Sequence, residues 1–273
     1  MAIIAITQQI GSRGNDIAAI AAKELGYRLL LGKDLASFAS SRYNVSPEQL
    51  LVLDERKPHF WERLTTDTES FLAFFRATAL REMAADKVVM VGRSTAHHLP
   101  ESGCGLRVHV IGDFAERVER VATEEKLSRP AAEKRVRDYD RELRSRVQTI
   151  VGVDLEDPAL YAVVLNASRM SVEAAASVLV LAARDIETRA TGEDWQRIRD
   201  AALAAQVNAA IHAHPQLNHA QIRIQCDKGR VRVNGPGLVP PWDDLANQVV
   251  RQVEGVAAVE ILADAPPMVV RPE

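Results

Sequence analysis

Two glycines three residues apart, in Gly11-Ser12-Arg13-Gly14, follow the apolar run Ala2-Ile3-Ile4-Ala5-Ile6 and precede the apolar stretch from about Ile17 to Leu25, which ends at Gly26. A buried strand, a glycine turn and a helix in that order make the layout of a phosphate cradle. Successive backbone N–H groups converge on one concavity, glycines let the chain wrap the anion closely, and the helix adds its positive N-terminal end. Gly11, Ser12, Arg13, Gly14, Asn15 and Asp16 are the candidate residues for holding the phosphates of a nucleotide. A tight strand-to-helix connection without a ligand is the plain alternative. The lysine and hydroxyl pair that ordinarily follows the last glycine is absent, and Asn15 and Asp16 stand in its place. That lysine neutralises charge on the β- and γ-phosphates during phosphoryl transfer, so Arg13, the nearest cation, is a candidate catalytic residue. Asp16 sits where a hydroxyl normally helps hold magnesium. It is a candidate metal ligand, or simply an acidic residue favoured in a first helical turn.

Further charged residues lie where chemistry is expected. Arg93 follows the predicted strand Lys87–Val91, and ligands of parallel sheets bind beyond the carboxyl ends of strands. Its guanidinium suits bidentate phosphate binding, with a surface ion pair as the alternative. Arg117 and Arg120 share one helix face, where they either point at a phosphate donor or pair with Glu116 and Glu124. Arg137, Asp138, Asp140, Arg141, Arg144 and Arg146 crowd one predicted helix, which could equally be a solvated helix of mixed charge. His97-His98, His212, His214 and His219 lack metal-ligand spacing, and neither Cys104 nor Ser168 has a base nearby in sequence to make it a nucleophile.

These residues must be positioned by an α/β framework. The strands expected are 2–6, 29–31, 87–91, 106–111 and 162–165. Helices are expected near 34–41, from Ser46-Pro47 onward, and over 70–85, 114–125, 130–148 and 171–181. Strands alternating with helices imply a parallel sheet covered on both faces. The pattern changes over 187–195, where Thr191-Gly192-Glu193-Asp194 reads as a linker. Beyond it come a helix over 196–212, strands over 221–226 and 230–233 joined by the hairpin turn Asp227-Lys228-Gly229, a helix over 242–253 and a strand over 259–262. The expected organisation is a first domain over 1–186, a linker over 187–195, a small α+β domain of order αββαβ over 196–265, and a tail over 266–273.

Composition bounds the function. The chain has 273 residues, long enough for two cores. A formal net charge of −3 and an aromatic fraction of 5% argue against a nucleic-acid binder. Two cysteines far apart give no disulfide framework. No basic n-region with an apolar core opens the chain, and no apolar stretch approaches the roughly 20 residues of a membrane span. A cytoplasmic protein is expected, of open oligomeric state.

The run Ile4-Ala5-Ile6-Thr7-Gln8-Gln9-Ile10-Gly11-Ser12-Arg13-Gly14-Asn15-Asp16-Ile17-Ala18 resembles the start of the cytidylate-kinase-like proteins, which typically carry Gly-Ser-Gly-Gly here. Further matches are Leu25-Gly26-Tyr27, Leu53-Asp54-Glu55-Arg56-Lys57-Pro58, Phe60-Trp61-Glu62-Arg63-Leu64, Val88–Ser94, Glu116–Val121, Asp157–Tyr161 and Leu165–Ser168. The resemblance covers about residues 1–186. It implies a P-loop kinase-like fold and transfer of the γ-phosphoryl of ATP, with Mg2+, to CMP, dCMP or a similar nucleoside monophosphate. It implies that Arg93 contacts the acceptor's phosphate, that Arg117, Arg120 and Asp140 bind substrate, and that Arg141 and Arg144 act catalytically from a lid. Two positions depart from the family: Arg13 stands where glycine is usual, and Leu143 where arginine is usual, with Arg144 one residue, or ~100° of helix, away. A catalytically degenerate sensor or scaffold that binds nucleotide is the alternative. The C-terminal part resembles a BON module through Val207, Ile211, Gly229–Gly235 and Val253–Val259. That resemblance implies contact with proteins or a membrane surface.

Overall fold

The computed structural model describes residues 1–46, 66–85, 87–236 and 238–263. The expected helix start at Ser46–Gln49 beyond Ser46 itself, the family-like segments 53–58 and 60–64, and the tail 266–273 lie outside those residues. The chain forms two compact units. The first holds the described residues up to 46 together with 82–198, and the second holds 66–81 together with those from 199 on.

Five parallel strands build the sheet of the first unit: β1 (Ile3–Gln8), β2 (Arg28–Leu31), β3 (Val88–Val91), β4 (Gly105–Ile111) and β5 (Val163–Asn166), in the order β2-β3-β1-β4-β5. The central strand β1 pairs with β3 from Ile3 opposite Val88 and with β4 from Ile3 opposite Gly105. Ile3, Ile4, Ala5 and Ile6 are all fully buried, because a parallel strand covered on both faces has no solvent side to alternate toward. Helix α1 (Gly14–Leu25) contributes Ile17, Ala18, Ala21 and Ala22 to the core and ends on Gly26, whose φ of 68° is the left-handed conformation glycine adopts without a steric penalty.

Helix α2 (Gly32–Tyr43) follows β2 directly, its first turn fixed by the Asp34 carboxylate accepting from the Leu31 N–H at 2.8 Å. Helix α3 (Thr66–Ala84) precedes β3, and the short α4 (Thr95–His98) follows it. Beyond β4 come α5 (Phe114–Glu124) and the long α6 (Arg129–Val151). They pack through Val118, Val121, Ala132 and Val136, with Ile10 and Phe114 at the margin. Helix α7 (Val172–Arg189) lays Val172, Ala175, Ala176, Leu179 and Ala183 on the sheet core.

The segment read as a linker, Thr191–Asp194, is largely helical. Helix α8 (Gly192–Ala213) begins inside it, four residues before the expected start. The physical reason is a cap: the Asp194 carboxylate accepts from the Thr191 N–H at 2.9 Å and the Thr191 hydroxyl at 2.6 Å, while the Asp194 N–H donates to the Thr191 Oγ at 3.2 Å. The glycine that looked like a breaker is the first helical residue.

The second unit has the expected order. After α8 come β6 (Arg223–Asp227), β7 (Arg230–Gly235), α9 (Trp242–Arg251) and β8 (Ala258–Ala263). Strands β6 and β7 are antiparallel and β7 and β8 parallel. Lys228 and Gly229, with φ of 48° and 83°, make the two-residue turn whose positive dihedrals match the strand twist. Val207, Ile211, Val231, Val233, Ala246 and Val250 form its core. Among the described residues no helix is long and apolar enough to cross a membrane.

Candidate functional site

The loop after β1 leaves the sheet at its carboxyl edge, on the central strand. Gly11 has φ of 72° and Arg13 φ of 64°, so two residues of the turn are left-handed and one of them is not glycine. A left-handed non-glycine residue is strained, and Arg13 is held there with its Nε 3.2 Å from the Asp16 carboxylate on the first turn of α1. The Ser12 N–H turns back to the Gln9 carbonyl at 3.2 Å. Among the described residues the N–H groups of Gly11, Arg13, Gly14 and Asn15 have no acceptor, which leaves a row of donors at a helix N-terminus. The Ser12 hydroxyl is fully buried and also has no partner among the described residues.

The rest of the loop is tightly built. The Gln9 side-chain carbonyl accepts from the Gly112 N–H at 3.1 Å, and Gln8 Nε2 donates to Asn15 Oδ1 at 2.8 Å. A Cβ on Gly11 would lie 2.8 Å from the backbone oxygen of Arg117, so α5 touches the loop where only glycine fits.

The arginines expected at the site divide into three groups. Arg117 and Arg120 are brought to the loop. Arg117 forms two parallel bonds to the Asp140 carboxylate, at 2.9 and 2.7 Å, and a long one of 3.4 Å to the Ile10 carbonyl; it is almost fully buried. Arg120 donates to the Gly11 carbonyl at 2.6 Å and to Glu116 at 2.9 Å. Arg93, beyond β3, lies 3.7 Å from the Glu142 carboxylate, and its guanidinium stacks 4.5 Å from the Tyr139 ring centre. Burial pushes the Glu142 carboxyl above its usual range, and Arg93 pulls it back. Arg141 and Arg144 form the third group. Both are exposed, Arg141 paired with Asp138 and Arg144 with Glu156 at 2.8 Å.

Leu143, the residue in place of the family's arginine, is 1% exposed and packs with Tyr139, Val147 and Leu155, with Ile10 of the loop at the edge of that cluster. The helix face that would carry the missing arginine is a core face.

Sequence reasoning named Glu116 as a possible partner of Arg120 but overlooked Gln8, Gln9 and Glu142 as parts of this assembly. The Gln8-Gln9 pair at the end of an apolar strand was a readable signal. Glu142 was hidden among ordinary helix charges. Among the described residues no group of three or more His, Cys, Asp or Glu side chains could hold a metal ion unaided. In the second unit a cleft of about 410 Å³ is lined by Leu217, His219, Pro236, Leu238 and Trp242, among others.

Solved structures match this chain at low identity. An uncharacterized protein from Eubacterium ventriosum is 17% identical, covers 67% of this chain and 99% of its own, and superposes with a TM-score of 0.50. Shikimate kinase from Acinetobacter baumannii, in complex with shikimate, is 13% identical over 68% of this chain and 94% of its own, with a TM-score of 0.40. Shikimate kinase from Bacteroides thetaiotaomicron is 13% identical over 67% and 98%, with a TM-score of 0.42. No curated protein was found to match the chain. Residues 3–169 match the sequence model of the cytidylate kinase-like family, and with more than half its length inside that match the chain belongs to that family.

Proposed function

We propose that the chain is a nucleoside monophosphate kinase of cytidylate type, transferring the γ-phosphoryl of ATP to CMP, dCMP or a similar acceptor. The observation that carries this is the row of N–H groups without acceptors from Gly11 to Asn15, beside the orphaned Ser12 hydroxyl. Phosphate oxygens would satisfy these donors, so the residues fit the donor's phosphates. Asp16, exposed in the first turn of α1, is the carboxylate that would join Mg2+, whose other ligands in such sites are phosphate oxygens and water. When bound, Mg2+ supplies charge neutralisation across the β- and γ-phosphates.

The protein's own part is positioning and electrostatics. The cradle holds the donor, and Arg13 adds a cation at its rim once released from Asp16. Arg93 is the candidate for the acceptor's phosphate; to reach it, the guanidinium exchanges its weak 3.7 Å contact with Glu142 for phosphate oxygens. Arg141 and Arg144 would swing from Asp138 and Glu156, exposed pairs that cost little to break.

One observation favours a second reading. Leu143 is buried where the family carries a lid arginine, which supports a nucleotide-binding sensor or scaffold without turnover. ADP release with ATP, Mg2+ and a panel of monophosphates separates the two. Turnover with one acceptor supports the kinase, whereas nucleotide binding without turnover for any acceptor overturns it in favour of the sensor.

The second unit we read as a BON-like interaction module, supported by its helix–strand–strand–helix–strand order and mixed sheet. Its contact is with a protein or a membrane surface, and co-sedimentation with anionic vesicles tests the membrane version. We take the chain to work in the cytoplasm, in keeping with its two cysteines, which lie far apart in the sequence and give no disulfide framework.

A further inference from the structure

The two arginines that the family resemblance implies as substrate contacts, Arg117 and Arg120, are engaged with the loop's own backbone. The Ile10 carbonyl accepts from Arg117 and the Gly11 carbonyl from Arg120, at 3.4 and 2.6 Å. In a trans peptide the C=O and N–H point in opposite directions. Holding the Ile10 carbonyl toward α5 therefore turns the Gly11 N–H away from α5. Holding the Gly11 carbonyl fixes the second peptide of the turn, whose N–H closes on Gln9 at 3.2 Å. Bonds from a charged guanidinium also polarise the peptide groups that accept them.

Arg120 is itself held. Its second amino group donates to Glu116 Oε2 at 2.9 Å, and that oxygen also accepts from the Ser168 hydroxyl at 2.8 Å. Ser168 in turn accepts from the Asp113 N–H at 2.8 Å. An unbroken chain of polar contacts thus runs from the residues after β5, through α5, to Gly11. The Arg117 end is held by the two bonds to Asp140 on α6.

We propose that Arg120, with Arg117 beside it, is a positioning residue of the phosphate loop, fixing the cradle from outside by its carbonyls and touching no ligand. This rests on the reading of the loop as the donor's phosphate cradle. The support is mechanical more than electrostatic: each guanidinium that holds a loop carbonyl is also paired with a carboxylate, Asp140 or Glu116.

The test uses the full chain, with Arg120→Ala, Arg120→Lys and, should the alanine variant not fold, Arg120→Gln. Binding of ATP and of inorganic tripolyphosphate is measured by calorimetry, and the Gly11 carbonyl 13C resonance is recorded in the ligand-free protein. Losing one charge-assisted bond is expected to weaken ATP and tripolyphosphate by the same factor, about tenfold. Arg120→Lys recovers part of that loss, and the Gly11 resonance moves in the alanine variant before any ligand is added. An unmoved resonance, or a loss for ATP that tripolyphosphate does not share, overturns the proposal by making Arg120 a nucleotide contact. If the unaltered protein binds neither probe, it is the kinase reading that fails, and the Gly11 resonance still decides whether Arg120 holds the loop.

Discussion

Arg13 and Leu143 are the two positions where this chain departs from its family, and their environments differ sharply. Arg13 occupies a left-handed conformation that glycine adopts freely, with φ of 64°, and its compensation is an exposed pair with Asp16. Relief of the strain and loss of the pair are each about 1 kcal/mol and opposite in sign. Arg13→Gly should therefore leave stability within about 1 kcal/mol of the parent by urea denaturation, and any loss of nucleotide affinity then reports the arginine's charge. Leu143 is fully packed, so Leu143→Ala should cost about 2–4 kcal/mol. Leu143→Arg should cost more, since it buries an unpaired cation, and should not raise turnover; a stable, faster Leu143→Arg variant would show that this face of α6 reaches the site. The glycines also separate. A Cβ at Gly11 meets the backbone of Arg117 at 2.8 Å, whereas one at Gly14 meets the movable end of Gln8 at 2.2 Å. Gly11→Ala should abolish nucleotide binding. Gly14→Ala should weaken it only as far as Gln8 is displaced from Asn15, as calorimetry of the two variants would show.

At the scale of elements, two small polar assemblies tie secondary structure together and titrate in separate windows. Tyr161, before β5, donates its hydroxyl to the Leu155 carbonyl at 2.9 Å, stacks against His109 of β4 and meets His97 of α4 at 3.1 Å. Burial, then Arg107 and His109, lowers His97 to about 4; burial lowers His109 to about 4 against the opposing pull of Glu156 and Asp140. Both histidines are neutral when folded, and the unfolded chain takes up protons first as pH falls below 6.5. Stability is therefore lost between 6.5 and about 4. At the start of α8, the Thr191 hydroxyl and then the Thr191 and Gly103 N–H groups hold Asp194 down to about 2. Its contribution is present above 3.8 and is lost as pH falls toward about 2. Denaturant midpoints measured across pH should fall through both windows, and Asp194→Asn should flatten the lower one while leaving the upper. The same assemblies mark what the sequence hid. The strands and the glycine turn between β1 and α1 were legible because a buried apolar run followed by glycines has few other uses. The Thr191-Gly192-Glu193-Asp194 cap was misread because glycine at a first helical position looks like glycine in a linker. The contacts of Arg117 and Arg120 with the loop and with Asp140 were invisible because Ile10, Gly11 and Asp140 reach them only through the fold.

For the whole molecule, the order of elements was legible throughout the C-terminal part, from α8 to β8, since each carries its own period and its hairpin turn is local. Its extent was not. Expecting a domain boundary over 187–195 treats each unit as one continuous piece of chain, whereas residues 66–81 of α3 group with those from 199 on. Ala73, Phe74, Ala77 and Leu80 of that segment are buried. Hydrophobic periodicity announces that such a helix has a buried face, but says nothing of which distant part of the chain covers it. A small unit has little reserve, because a domain of this size buries only about 60% of the surface its unfolded chain exposes. A fragment of residues 196–273, cut at the boundary the sequence invites, lacks the 66–81 segment and also the Thr191–Asp194 cap of α8. It should unfold at a lower temperature than the same transition in the full chain, followed by circular dichroism. Adding a peptide of residues 66–84 in excess should raise its midpoint by mass action. An excised fragment with an unchanged midpoint would mean that the second unit is complete without α3.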